Sequence, residues 1–387
     1  MTDKLYYRDT YLTEFKATVI SCEKMEKGFE VMLNQTAFYP EGGGQPCDLG
    51  ELGGAKVIDV QERGEDIVHL VDEELSIGSE VQGKIDWNRR FDLMQQHSGE
   101  HVVSGLIHNQ YGYNNVGFHM GKEMITIDLD GELNMDKLAE IEQKANNYIW
   151  QNCEVEETHP DPEELKNLDY RSKKELTGDV RIIRFPGADT CACCGTHVKQ
   201  TGEIGLVKIV SCQKFHEGVR IEMLCGNRAM EYINTVNREN NKISNQLSAK
   251  VGETSKAVER LMGENQALKA KISQMENNML GELVAGHTGE KFVLINKAGL
   301  TPDGVRKVTA QLIEQNPGIC AVFSGSDEEG YKYAIGHKDG DLKELVKEMN
   351  AQLNGRGGGK PFFAQGSLGC TYEEIESFFE SKRSEKQ

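Results

Sequence analysis

Between Asn227 and Leu283 the chain has no proline, and Leu247, Val251, Thr254, Val258, Leu261, Asn265, Leu268, Ile272, Met275 and Met279 recur at alternating spacings of four and three. A proline-free run with that period has one regular solution, a helix carrying a single stripe of these side chains along one side. A helix of this length cannot be folded into a sheet, so it divides the chain into a part before it and a part after it. Two readings of the stripe stand. It is the buried face of a long helix packed on its own domain, or the seam of a coiled coil or helical hairpin that separates two domains and allows a homodimer. A polar Asn265 at an a position fits the second.

The flanking segments differ in period. Over residues 1–90, "FKATVISCEK", "GFEVMLNQTAFY", "AKVIDVQERGEDIVHLV" and "EVQGKIDW" are short apolar runs broken by Gly and Asp, which predicts strands of a small barrel or sandwich. Over 91–226 the pattern mixes. Leu93, His97, His101 and Gly105 recur every four residues, and Leu138, Ile141, Ala145 and Ile149 mark a second helix, while "MITIDLD", "DVRIIRF" and "GVRIEMLCG" are strand-like. The helical linker spans 227–284. Over 285–387, "EKFVLINKAG", "GICAVFSGS" and "GYKYAIGHK" predict strands, with helices at "DGVRKVTAQLIEQ" and "DLKELVKEMNAQL". The segment "NGRGGGKPFFAQGSL" is too glycine-rich for either regular element. The expected class is α+β: a β-barrel-like domain, an α+β domain, a long coiled-coil-type helix and a C-terminal α/β domain.

Composition narrows the function classes. The 387 residues are 38% hydrophobic and 27% charged, a globular balance, and no apolar run approaches the roughly 20 residues of a membrane helix. The opening "MTDKLYYRDT" has no secretory apolar core, which predicts a mature, cytoplasmic chain. In a reducing compartment the ten cysteines are expected as thiols or metal ligands rather than disulfides. A net charge of −18 argues against nonspecific nucleic-acid binding. From Gly286 onward the net charge is only −2, so a nucleic-acid contact is more plausible there.

Two short motifs carry chemistry. His97 and His101, at i and i+4 on a helix, send both imidazoles to one side, and "CACCGTHV" repeats the spacing with Cys193 and His197. Separately each pair is a weak signal; together they make a split zinc site, one ion per chain. Cys191 and Cys194 compete with Cys193 as ligands, and four protein ligands also fit a structural zinc. "TAFYPEGGGQPCDLG" places Gly42, Gly43 and Gly44 before Gln45, which suits close approach of backbone to a ligand. An ordinary hairpin turn, with Glu41 and Asp48 solvated, explains the same stretch.

His97-Ser-Gly-Glu-His101 and Cys193-Cys-Gly-Thr-His197 resemble the HxxxH and CxxxH pairs of alanyl-tRNA synthetase editing domains. "FYPEGGGQPCDLG" is similar to the glycine-rich motif of their free-standing relatives, the AlaX proteins. "GRGGGKPFFAQG", from Gly355 to Gly366, resembles the signature of the domain that follows editing in the synthetase and accompanies DHH phosphoesterases. With about ninety residues before His97 there is no room for an aminoacylation domain, so the likeness is to the long form of AlaX. Cys194 departs from the synthetases' usual glycine.

The resemblance implies a zinc-dependent deacylase of mischarged tRNA(Ala), chiefly Ser-tRNA(Ala) and also Gly-tRNA(Ala), with His97, His101, Cys193 and His197 on the metal. It implies substrate contacts from Gly42, Gly43, Gly44 and Gln45, from Thr36 to a serine hydroxyl, and from His119 in "VGFHMG". Arg356 and Lys360 are the expected phosphate partners in the C-terminal domain. Alternatives are editing of another aminoacyl-tRNA, as in threonyl-tRNA synthetases, and a non-catalytic zinc-stabilised tRNA-binding protein.

Overall fold

A computed structural model describes residues 1–172 and 180–384. The chain forms two compact units, Met1–Lys242 and Ile243–Gln387. No helix among the described residues is long and apolar enough to cross a membrane.

In the first unit, six strands close into a barrel. Around it run Glu14–Met25, Gly28–Leu33, Asp66–Val71, Ala55–Arg63, Gly50–Leu52 and Glu80–Ile85, each antiparallel to its neighbours. Alternation fills the interior: Ala17, Val19, Val31, Leu33, Val57, Ile67, Val71 and Ile85 are buried in one cluster. Asp48 is fully buried, whereas Glu41 is exposed, so the solvated-turn reading fails for Asp48 alone. Its carboxylate accepts from Arg90 Nε at 2.9 Å and from the Tyr39 N–H at 2.6 Å. Arg90, also fully buried, donates onward to the carbonyls of Thr10 and Ala37. This buried ion pair ties the glycine-rich segment to the helix that follows the barrel.

That helix, Trp87–Tyr111, is capped by Asp86, whose side chain accepts from the Arg89 N–H, and ends at Gly112 with φ 74°. It packs with the helix Met135–Ile149 against a four-stranded antiparallel sheet ordered Val207–Phe215, Gly218–Cys225, Ile125–Leu129, Asn115–Met120. A three-stranded sheet of Glu156–Thr158, Ile182–Phe185 and Asp189–Ala192 carries the cysteine segment.

The expected single helical run over 227–284 is broken. One helix spans Gly226–Leu247 and crosses the boundary between units; the next spans Thr254–Ala285. Between them Ser248 adopts φ 48°, and the Ala249 N–H turns back to the Ser244 carbonyl at 2.9 Å. The stripe residues Leu247 and Val251 therefore lie outside the second helix. The sequence period does not reveal this, because a left-handed residue leaves the spacing of apolar positions unchanged.

The second unit centres on a five-stranded sheet ordered Phe292–Asn296, Ile319–Ser326, Gly330–Gly336, Phe363–Leu368, Gly355–Lys360. The first pair is parallel across the helix Pro302–Gln315, and the others are antiparallel. Helices Lys343–Gln352 and Tyr372–Ser384 complete it. Contrary to expectation, "GRGGGKPFFAQGSL" is regular: it forms the edge hairpin Gly355–Lys360 with Phe363–Leu368. Ladder bonds use only backbone N–H and C=O, so glycines at an edge can pair despite lacking side chains.

Candidate metal centre and active site

The helix Trp87–Tyr111 and the cysteine segment meet where the sequence pairs require. Ligand atoms of His97, His101, Cys193 and His197 all lie within 4.8 Å of one another, three of the residues buried and Cys193 half-buried. Cys194 is exposed, and Cys191 groups instead with His101 and Asp189. The sulfur left open by spacing is thus Cys193.

Hydrogen bonds decide which ring nitrogens face inward. His97 Nδ1 lies 2.9 Å from Gln45 Oε1, an oxygen that also accepts the Thr196 N–H, so His97 donates and its Nε2 turns toward Cys193 Sγ at 3.4 Å. His101 Nδ1 donates to Asp189 Oδ2 at 2.8 Å, and Arg171 holds that carboxylate with two bonds of 2.7 Å. Among the described residues, His101 Nε2 and both His197 nitrogens are buried without a hydrogen-bond partner. Buried polar atoms without partners are costly, and the ligand-atom group of the cluster takes one nitrogen from each of these two rings. The donor set of three imidazoles and one thiol fits a zinc ion.

Electrostatics favour a ligating sulfur. Burial opposes ionisation of Cys193, but the adjacent imidazoles, His97 foremost, outweigh it and hold the thiol well below its ordinary value. Burial pushes His197 well below the usual imidazole value, toward the neutral form. For His101 burial acts the same way, yet the Asp189 hydrogen bond wins and the group titrates well above its ordinary value.

The surroundings are built for close packing. A Cβ on Gly195 would stand 2.0 Å from His97 Cε1, so that residue has to be glycine. Arg181, buried, donates to the carbonyls of Cys193 and Gly195 at 3.0 and 2.8 Å and pairs with Glu157. Phe118 stacks on His97 with centroids 5.3 Å apart.

Other expected residues are placed as follows. Gly42 and Gln45 close a tight turn through reciprocal backbone bonds, with Gly43 and Gly44 at φ 62° and 86°. The turn aims the Gln45 amide at His97, and Gly44 O accepts from the Met120 N–H at 3.0 Å. The glycines therefore serve a hairpin turn and a protein contact. His119 is exposed, while its neighbour Phe118 meets the cluster, as strand alternation requires. The structure does not bring His119 to the cluster.

Thr36 is fully buried, 2.8 Å from His69 Nε2. Burial holds His69 neutral, lowering it to about 4, and its Nδ1–H donates to the Val31 carbonyl. Nε2 must then accept the Thr36 hydroxyl proton, while Thr36 Oγ1 accepts from the Phe38 N–H. In the second unit, Arg356 and Lys360 are exposed four positions apart on the edge strand. A cavity of about 360 Å³ beside them is lined by Lys343, Lys347, Asn350 and Lys360 together with Gly357–Gly359.

Sequence reasoning missed Asp189, Arg171, Arg181 and Phe118. Asp189 was within reach, since it shares a strand face with Cys191 at period two. The arginines arrive from distant segments and leave no local signal.

Three family descriptions fit the chain: class II (A) tRNA synthetases over residues 3–89, the threonyl and alanyl tRNA synthetase second additional domain over 180–222, and the DHHA1 domain over 289–382. The alanyl-tRNA editing protein AlaX-L of Pyrococcus horikoshii is 29% identical, over 97% of this chain and 96% of its own length. The alanyl-tRNA editing protein Aarsd1-A of Xenopus laevis is 30% identical, over 91% of this chain and 90% of its own. The alanine–tRNA ligase of Ignicoccus hospitalis is 30% identical over 93% of this chain but only 40% of the ligase.

Proposed function

This chain belongs to the alanyl-tRNA editing protein family, and from that premise we propose that it hydrolyses the ester of mischarged tRNA(Ala) in trans, Ser-tRNA(Ala) first and Gly-tRNA(Ala) second. The need is physical. A pocket made for alanine rejects smaller glycine weakly and does not exclude every added hydroxyl, so a separate hydrolytic site must correct the product. The observation that carries the reading is the convergence of His97, His101, Cys193 and His197, whose ligand atoms lie within 4.8 Å of one another while His101 Nε2 and the His197 ring nitrogens are buried without hydrogen-bond partners.

In this reading those four residues hold one zinc ion. Bound there, zinc would supply a Lewis acid beside the ester carbonyl. The rest falls to the chain. Gln45 and Asp189 set the two helix histidines in the ligating tautomer, and Arg171 keeps Asp189 in place. Arg181 pins the turn that carries Cys193. Phe118 covers His97 and keeps water from that side. Thr36 enters only as an acceptor: its own proton is committed to His69, so a serine hydroxyl would have to donate to it. On the second unit, Arg356 and Lys360, with Lys343 and Lys347 lining the neighbouring cavity, contact tRNA phosphates.

The test is deacylation of Ser-tRNA(Ala) beside Ala-tRNA(Ala) and Ser-tRNA(Ser), by wild type and Cys193→Ala, with metal content and folding measured for both. The expected result is selective loss of serine from tRNA(Ala), reduced about 10³-fold or more in a folded Cys193→Ala. A wild type that carries zinc and binds tRNA but leaves every ester intact would overturn the catalytic reading in favour of a structural ion.

A further inference from the structure

Tyr39 is buried and its ring is firmly held. Its N–H donates to Asp48 Oδ2 at 2.6 Å, its carbonyl accepts from the Asp48 N–H at 2.9 Å, and Tyr6 packs edge-on with centroids 5.5 Å apart. The hydroxyl at the end of that fixed ring is held loosely. Among the described residues its one hydrogen bond is to the Gly42 carbonyl, at 3.3 Å. An O–H···O bond is ordinarily about 2.7–2.8 Å, so this proton is weakly engaged.

The hydroxyl also borders space that the fold leaves open. Unlike Gly43 and Gly44, Gly42 does not take a positive φ, and a Cβ there would meet a single atom within 4 Å, Tyr39 Oη at 3.5 Å. That is ordinary van der Waals contact, so the fold does not require glycine at this position. Gly43 is exposed, and a Cβ on it would meet nothing within 4 Å. Two short routes tie this open corner to the metal cluster. Gly42 closes its turn on Gln45, whose amide oxygen holds His97 Nδ1 at 2.9 Å. On the other side Tyr6 packs on Tyr7, Tyr7 lies 5.3 Å from the Arg181 guanidinium, and Arg181 donates to the Cys193 carbonyl at 3.0 Å. Burial first, and then the Cys193 sulfur, push the Tyr39 phenol above its usual value, so it remains a neutral donor.

We propose that the Tyr39 hydroxyl is a further catalytic group of this site, donating a hydrogen bond to the ribose oxygen that departs when the aminoacyl ester opens. The inference rests on the deacylase reading above. In that reading the ester carbonyl is met by the ion, which leaves the departing oxygen as the one still lacking a donor. In the hydrolysis the oxygen of water bonds to the carbonyl carbon. The bond from that carbon to the ribose oxygen breaks, and its electron pair stays on the ribose oxygen. One proton of the water ends on that oxygen, and the other goes to solvent as the released amino acid ionises. Tyr39 keeps its own proton throughout. It exchanges a weak bond to Gly42 for a stronger one to an oxygen that gains negative charge, with the ribose in the open corner beside Gly42.

Single-turnover deacylation of Ser-tRNA(Ala), with the full chain in excess and varied, separates the rate at saturation from the half-saturating concentration. Tyr39→Phe keeps the ring and should lower the saturated rate about 10²-fold, with half-saturation, zinc content and urea unfolding unchanged. Gly42→Ala adds a methyl beside the hydroxyl and should raise the half-saturating concentration about tenfold, with zinc content unchanged. A folded, zinc-loaded Tyr39→Phe at the wild-type rate overturns the proposal. So does a slow Tyr39→Phe that has also lost zinc or binds tRNA more weakly, which would make the hydroxyl a strut for the Gly42 turn. A Gly42→Ala with wild-type half-saturation overturns the placement of the ribose in this corner. A wild type that leaves every ester intact is a different failure: it removes the deacylase reading, and this inference with it.

Discussion

The His97–Cys193 cluster and the Val258–Asn278 helix break the same rule in opposite directions. One gathers polar atoms in the interior without hydrogen-bond partners; the other holds apolar side chains in water. Folded chains avoid both arrangements, so each points to something that completes it. They differ in what surrounds them. Around the cluster, Gln45, Asp189, Arg171 and Arg181 fix the geometry through bonds of 2.7 to 3.0 Å. Along the exposed helix segment, Arg260 and Glu264 pair loosely at 3.7 Å. A rigid interior site is prepared for a ligand of fixed shape, whereas a regular surface needs only a surface of matching period.

The strongest way to break the comparison is to remove a strut behind the interior site. Asp48→Ala leaves the Arg90 guanidinium buried without its carboxylate, and should cost about 3–5 kcal/mol in urea unfolding. A loss under about 1 kcal/mol would mean that the pair does not hold barrel and helix together.

Asp189→Asn probes the layer next to the ligands. It weakens the acceptor of His101 Nδ1–H and one arm of the Arg171 clamp, so zinc affinity should fall about 10–100-fold by competition with a chromophoric chelator. The same bond holds the His101 pKa high, so protons compete with the metal and wild-type affinity should decline as pH falls through the titration of that group. Asp189→Asn should flatten that pH dependence.

His69 sharpens the contrast between buried and exposed groups. Its folded pKa of about 4 lies below the ordinary imidazole value of 6.5. The unfolded chain therefore binds the proton first, and stability present above pH 6.5 is lost as pH falls toward 4. Its contribution at pH 5 should be about 2 kcal/mol below that at pH 7.5, read as the difference between wild type and His69→Gln.

The smallest effect belongs to the exposed stripe. Leu268→Ala, measured at concentrations where the chain is monomeric, should change unfolding by less than about 0.5 kcal/mol. A change near 2 kcal/mol would show that the leucine is already covered within its own chain.

Much of the candidate site was legible in the sequence, because two i, i+4 pairs announce their own geometry and soft donors announce their chemistry. The spacing favoured Cys193 without excluding Cys191 and Cys194; the placement of the segment against the helix is what groups Cys193 with the three histidines. Alternation along Asn115–Met120 gives the cluster face to Phe118 and leaves His119 exposed, because local sequence does not say which face points inward. The break at Ser248 was hidden for a related reason, since a heptad can be counted across a residue that leaves the helix. "GRGGGKP" was misread because edge pairing is a property of backbone, not of side chains.

By itself the sequence determined most of the short-range features: the strongly periodic helices and strands, which residue types can bind metal, and the order of the three matched regions. Tertiary structure decided the rest. It set the inward nitrogen of His97 and of His101, joined Asp189 to His101 and Arg90 to Asp48 across long stretches of chain, and left one helix bare from Val258 to Asn278. The reason is range. Propensity and periodicity act over a few residues, whereas burial and hydrogen-bond pairing depend on partners that only the folded chain brings together.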